Sequence, residues 1–92
     1  MRLPATFTVL PTGALSPPTV TAPARIPVLL TVVSGDGRAH RAVLRSPVPH
    51  ELTIRARGRA SVLVTGLANG RYALDIDGAP TGVLVVGGAP GP

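Results

Sequence analysis

Two histidines, His40 and His50, are the side chains of this 92-residue chain most suited to metal or proton chemistry near neutral pH. His40 follows the polar segment Ser34-Gly35-Asp36-Gly37 at the start of an alternating stretch. His50 is preceded by Pro47 and Pro49 and followed by Glu51. A His/His/carboxylate cluster would suit Cu(II), Zn or Fe(II), with the amine or thioether of Met1 as a further donor if the N-terminus lies near. The competing expectation is a turn histidine bonded to backbone or solvent. Asp75 and Asp77 lie two apart on one strand face, which sets their side chains ~6–7 Å apart. Paired carboxylates can serve acid/base chemistry, but that work needs a cleft. A solvated face paired with Arg71 or another arginine is the simpler expectation. Arg55, Arg57 and Arg59 alternate in R-A-R-G-R. If Gly58 does not bulge, they form one exposed basic row with Arg41 and Arg45 as neighbours. Such a row could contact phosphates or an acidic protein, or protect an edge strand from pairing.

Other chemistries lack their residues. With no cysteine, disulfides, thiol catalysis and thiolate metal sites are excluded. Ser16, Ser34, Ser46 and Ser61 have no G-x-S-x-G context. Ser34-Gly35-Asp36-Gly37 and Gly87-Gly88 precede no helix, so phosphate cradling fails on context. The net charge of +5 comes from nine arginines with no lysine, and it permits weak attraction to polyanions. One Phe, one Tyr and no Trp leave no stacking platform for single-stranded nucleic acid, so nucleic acid is not an expected partner. No run of ~18 apolar residues is present to span a membrane. Met1–Thr6 carries one charge and no apolar signal region, which fits a cytosolic chain or a mature domain.

The elements that must position these residues read as strands. Eleven Gly and eleven Pro interrupt the chain, and Pro recurs up to Pro49, so long helices are not expected. The apolar period is two. Phe7 and Val9 alternate with Thr6 and Thr8. Leu15–Val20 is extended, and Pro17 and Pro18 confine it to an edge. In Pro27–Ser34, Val28, Leu30 and Val32 share one face. Further strands are expected over His40–Arg45, Leu52–Arg57, Arg59–Thr65, Gly70–Asp77 and Gly82–Gly87, with a hairpin signal at Asp77-Gly78. Residues 88–92 read as a Gly/Pro tail. Seven or eight short strands with frequent turns imply one domain over residues 1–87, a mainly antiparallel Greek-key sandwich. Leu67, Gly70 and Tyr72 have the L-x-x-G-x-Y spacing of a tyrosine corner, in which the hydroxyl returns to an upstream backbone group.

Taken in order, four stretches resemble the cupredoxin-like domains, the sandwiches that include blue copper proteins. They are Leu15–Val28, an extended Pro segment entering an apolar strand, and Leu30–Val43, a strand, polar turn and first histidine. Gly66–Leu74, the corner, and Gly82–Val86, the last strand, complete the set. The resemblance covers roughly residues 5 to 87 and implies a cupredoxin-like fold, with an immunoglobulin- or fibronectin III-like sandwich as the alternative. It also implies an extracytoplasmic setting. Blue copper needs two histidines, a cysteine and a weak axial ligand. By the family's pattern the cysteine falls near Ile76, and Asp77–Gly82, the stretch before the last strand, holds neither His nor Met. Only His40 matches a ligand. The expectation is therefore a non-catalytic module that binds another protein or itself and carries no cofactor. A copper or other transition-metal domain using His40, with or without His50, is the alternative, and a basic surface for a polyanion the weaker one.

Overall fold

The alternation in the sequence is realised as nine strands, and no helix forms among the described residues, which are 3–65 and 67–87 of a computed structural model. Met1, Gly66 and the expected tail at 88–92 lie outside them. In chain order the strands are β1 (Leu3–Val9), β2 (Leu15–Ser16), β3 (Thr19–Ala22), β4 (Val28–Ser34), β5 (His40–Leu44), β6 (His50–Ile54), β7 (Arg59–Val64), β8 (Gly70–Ile76) and β9 (Ala79–Val86). They make a four-stranded sheet of order β2-β1-β4-β7 and a five-stranded sheet of order β3-β9-β8-β5-β6.

The count exceeds the expected seven or eight because the Leu15–Val20 stretch divides. Pro17 and Pro18 lack the N–H groups a ladder needs. The chain therefore leaves the first sheet after Ser16 and enters the second at Thr19, forming an edge strand in each. Strand ends also differ from expectation: β6 begins at His50 and stops at Ile54, and β9 begins at Ala79. Most pairings are antiparallel, but β1 runs parallel to β4 and β3 parallel to β9. These two parallel ladders depart from the antiparallel sheets of an immunoglobulin-type sandwich.

Between the sheets lie Phe7, Val28, Leu30, Val32, Leu44, Ile54, Leu74 and Leu84, each 1% exposed or less. Burying one such side chain contributes about 1.5–3 kcal/mol, and with no disulfide this core holds the layers together. Gly35 is forced by close approach: a Cβ there would sit 2.7 Å from the Val9 carbonyl oxygen, a backbone atom that cannot rotate away. Asp77 and Gly78 have φ of 52° and 86° and join Ile76 to its partner Ala79, the two-residue turn whose twist suits a hairpin.

The outer faces differ in charge. On the four-stranded sheet, Thr6 and Thr8 flank Leu29, Thr31 and Val33, which flank Ser61 and Leu63. Arg59 is the one charged residue on this face of β1, β4 and β7. The face of the five-stranded sheet carries Arg41, Glu51, Arg45, Asp75 and Arg71.

At the end of the sandwich away from His40, the Tyr72 hydroxyl donates to the Ala68 carbonyl at 2.7 Å, its ring rests beside Gly70, and Leu67 is buried. The bond ties the start of β8 to the loop that precedes it. Tyr72→Phe is expected to destabilise the fold by about 1 kcal/mol in urea unfolding, with the slope unchanged. No loss would show that the ring's packing alone closes the corner.

Candidate functional site

His40 opens β5, and its ring is enclosed by residues from two turns. The first turn joins β4 to β5. The Ser34 hydroxyl lies 3.1 Å from Asp36 Oδ1 and donates to the Arg38 carbonyl at 2.5 Å, the Arg38 amide donates to Asp36 Oδ1 at 3.0 Å, and Gly37 has a φ of 76°. These bonds fold the turn so that Asp36 faces back toward His40 four residues on. The second is the Asp77-Gly78 hairpin. Asp77 is fixed against β5 by two backbone links, its N–H to the Arg41 carbonyl at 2.8 Å and its Oδ1 from the Arg41 N–H at 3.0 Å.

The result is a shared ring. His40 Nδ1 lies 2.7 Å from Asp77 Oδ2, and Nε2 lies 2.8 Å from Asp36 Oδ2 and 2.9 Å from its Oδ1. The side chains of His40 and Asp36 are 9% and 10% exposed, that of Asp77 54%. Both ring nitrogens meet carboxylate oxygens, which only accept. A neutral imidazole would point a lone pair at one of them; the imidazolium donates to both. Accordingly the bond to Asp77 raises His40 above the usual histidine value, against the opposing effect of burial, with Asp36 adding to the rise. The bond from His40, with the Arg38 amide, lowers Asp36 to about 2. The bond from His40, with the Arg41 amide, lowers Asp77 below the carboxylate range.

The other sequence candidates fall elsewhere. His50 pairs with Leu44 while His40 pairs with Ile54, so the two histidines stand at opposite ends of one hairpin, about 13 Å apart at ~3.3 Å per residue. His50 lines a hollow of about 190 Å³ with Ser46, Val48, Leu67 and Tyr72. Asp75 pairs with an arginine as expected, Arg45 rather than Arg71, but not on a solvated face: it is 4% exposed and accepts from Arg45 Nε at 2.7 Å, the long arginine reaching it from the end of β5. Arg55, Arg57 and Arg59 do not form a strand row. The Gly58 N–H donates to the Arg55 carbonyl at 2.9 Å and Arg57 has a φ of 61°, so residues 55–58 form a turn that carries the chain from one sheet to the other. Of the three, only Arg59 lies on a strand. Met1 lies outside the described residues.

The residue sequence reasoning missed is Asp36, which stood there only as part of a polar segment. Its signal was the D-x-x-x-H spacing across a turn into a strand. Asp77 was placed with Asp75, because only the β5–β8 register reveals that it meets His40.

As a copper centre the arrangement lacks its donors. There is no thiol, the second histidine is distant, and the remaining ring donates through both nitrogens. Among the described residues, no group of three or more His, Cys, Asp or Glu is disposed to hold a metal ion.

No protein-family model matches the chain, and no curated protein does. Solved structures do match. Auracyanin B superposes with a TM-score of 0.73 at 17% identity, over 91% of this chain and 88% of its own. Auracyanin A, a blue copper protein from the green thermophilic photosynthetic bacterium Chloroflexus aurantiacus, gives 0.76 at 14%, over 94% and 99%. A Cu(I) amicyanin carrying an M98A substitution gives 0.63 at 15%, over 88% and 79%. At these identities the likeness is one of fold: the chain has a cupredoxin-like fold without a cysteine for blue copper.

The bonded ring sets a pH window. His40 contributes its full stabilisation below about 6.5, its unfolded value, and loses it as pH rises through its raised folded value. Asp36 and Asp77 contribute fully above about 4 and lose it as pH falls through their lowered values. Thermal midpoints should therefore plateau between about pH 4 and 6.5 and decline on either side. In a His50→Gln background, His40→Asn should flatten the alkaline decline up to about pH 9, below the tyrosine and arginine range. A decline of unchanged slope would mean that the ring is not charged in the fold.

Proposed function

We propose that this chain is a non-catalytic cupredoxin-like module that carries no copper and works by binding another protein or packing into an assembly. One observation carries the proposal: His40, the residue that matches a copper ligand, spends both ring nitrogens on Asp36 and Asp77. A side chain so engaged offers no lone pair to a metal and no free site to a substrate proton. The solved structures of like fold include a blue copper protein and a Cu(I) amicyanin; this chain shares their layers and lacks their sulfur.

Two further features support contact through surfaces. The hollow beside His40, about 390 Å³, is open and rimmed by Pro11, Thr12, Gly13, Asp36, Arg38 and His40. Its histidine and carboxylate are already bonded to each other, so it has no poised acid or base. The outer face of the four-stranded sheet is uncharged apart from Arg59, and Leu63 there is 44% exposed beside half-buried Leu29. A face of threonine, valine and leucine suits packing against another protein layer.

Calorimetric titration with Cu(II) and Zn(II), run on the chain and on His40→Ala, decides the matter. No stoichiometric site tighter than about 1 µM that depends on His40 is expected, a limit of about 8 kcal/mol. A tight site that disappears in the variant would replace this proposal with a metal-binding domain.

A further inference from the structure

The acidic side chains of the chain number four, and each is engaged by a cation. Asp36 and Asp77 hold His40, Asp75 holds Arg45 at 2.7 Å, and Glu51 lies 3.6 Å from Arg41. Among the described residues, Arg25, Arg38, Arg55, Arg57, Arg59 and Arg71 therefore have no carboxylate. Four of these six gather at one end of the sandwich. Arg38 closes the β4–β5 turn, while Arg55 and Arg57 form the β6–β7 turn and Arg59 follows it. The two turns are tied together: the Ser34 N–H donates to the Gly58 carbonyl at 2.9 Å, and Arg57 Nε lies 4.0 Å from where a Cβ on Gly37 would stand. All four arginines are exposed. Like charges so placed repel one another, and the single net negative charge of the His40 triad at the same end offsets only one of the four.

We infer that this end is a docking site for an acidic protein surface, an inference that rests on the interaction-module reading above. Charge complementarity identifies the occupant. Guanidinium forks match carboxylates in a bidentate geometry. The cluster sits on two adjacent turns that each cross from one sheet to the other, about 10 Å at sheet spacing, a compact patch that fits a few carboxylates rather than a track of phosphates along a duplex. Base stacking is not available: Phe7 is fully buried, and Tyr72 is bonded to Ala68 at the opposite end.

Poly-L-glutamate serves as the acidic probe and a short DNA duplex as its rival, each titrated at low salt by fluorescence anisotropy. Replacing Arg38, Arg55, Arg57 and Arg59 together by Gln should weaken polyglutamate binding about tenfold or more, while Arg25→Gln with Arg71→Gln should weaken it less than about threefold. Equal losses in the two variants overturn the site, and DNA bound more tightly than polyglutamate overturns the acidic-protein assignment. If the fourfold variant melts early, the single variants decide: Arg57→Gln must weaken binding more than Arg71→Gln, or the inference fails. The copper titration reads His40 and this one reads the arginines, so failure of the docking site is distinguishable from failure of the interaction-module reading.

Discussion

A histidine that gives both ring protons to carboxylates must carry a positive charge, and one end of this sandwich is arranged around that requirement. Asp36 comes from the β4–β5 turn and Asp77 from the β8–β9 hairpin, while His40 starts the strand between them. Removing the cation would leave two anions facing a vacated space. Keeping it links both turns to β5 through charge-assisted bonds, which are about twice as strong as neutral ones. A domain this small buries a modest share of its surface and has no disulfide to close its loops. The core aligns the strands; the shared ring fixes the turns that the core does not reach.

The layers were legible in the sequence because they depend on local alternation. Val28, Leu30 and Val32 announce an inward face whatever they pair with, and Asp77-Gly78 announces a two-residue turn through the φ values it tolerates. What stayed hidden depends on register. Asp75 and Asp77 look equivalent along β8, yet one lies beneath Arg45 and the other reaches His40. The R-A-R-G-R alternation imitates a strand, but Arg57 takes a left-handed conformation and Gly58 closes a turn, which a period-two pattern does not reveal. Pro17 and Pro18 signalled an edge, and the chain uses them to change sheets, making two edges of one stretch.

The likeness to auracyanin and amicyanin at 14–17% of shared residues illustrates how little of a sandwich's identity its function occupies. Backbone layers are specified by which positions are apolar, and many residues satisfy that. A metal centre is specified by a few donors on turns, and those positions can change without disturbing the layers. Here His40 is held by carboxylates. Asp36 and Asp77 occupy both of its ring nitrogens, and the triad is built from two turns and a strand start.

The triad has a consequence for the surface. Two of the chain's four carboxylates are committed to His40 and the other two to Arg41 and Arg45. The distribution of the net positive charge is therefore set by where the remaining arginines stand. Charge kept only for solubility is best dispersed with both signs mixed. The distribution here is uneven: the outer face of the four-stranded sheet carries Arg59 at its corner and otherwise hydroxyl and aliphatic side chains. The turns beside His40 carry Arg38, Arg55 and Arg57. Exposed cations repel at low salt and are screened within about 10 Å at moderate salt. Clustering them on turns held by the Ser34–Gly58 bond thus concentrates the field at one end of the sandwich, with Arg59 alone extending it onto the corner of the hydroxyl and aliphatic sheet face.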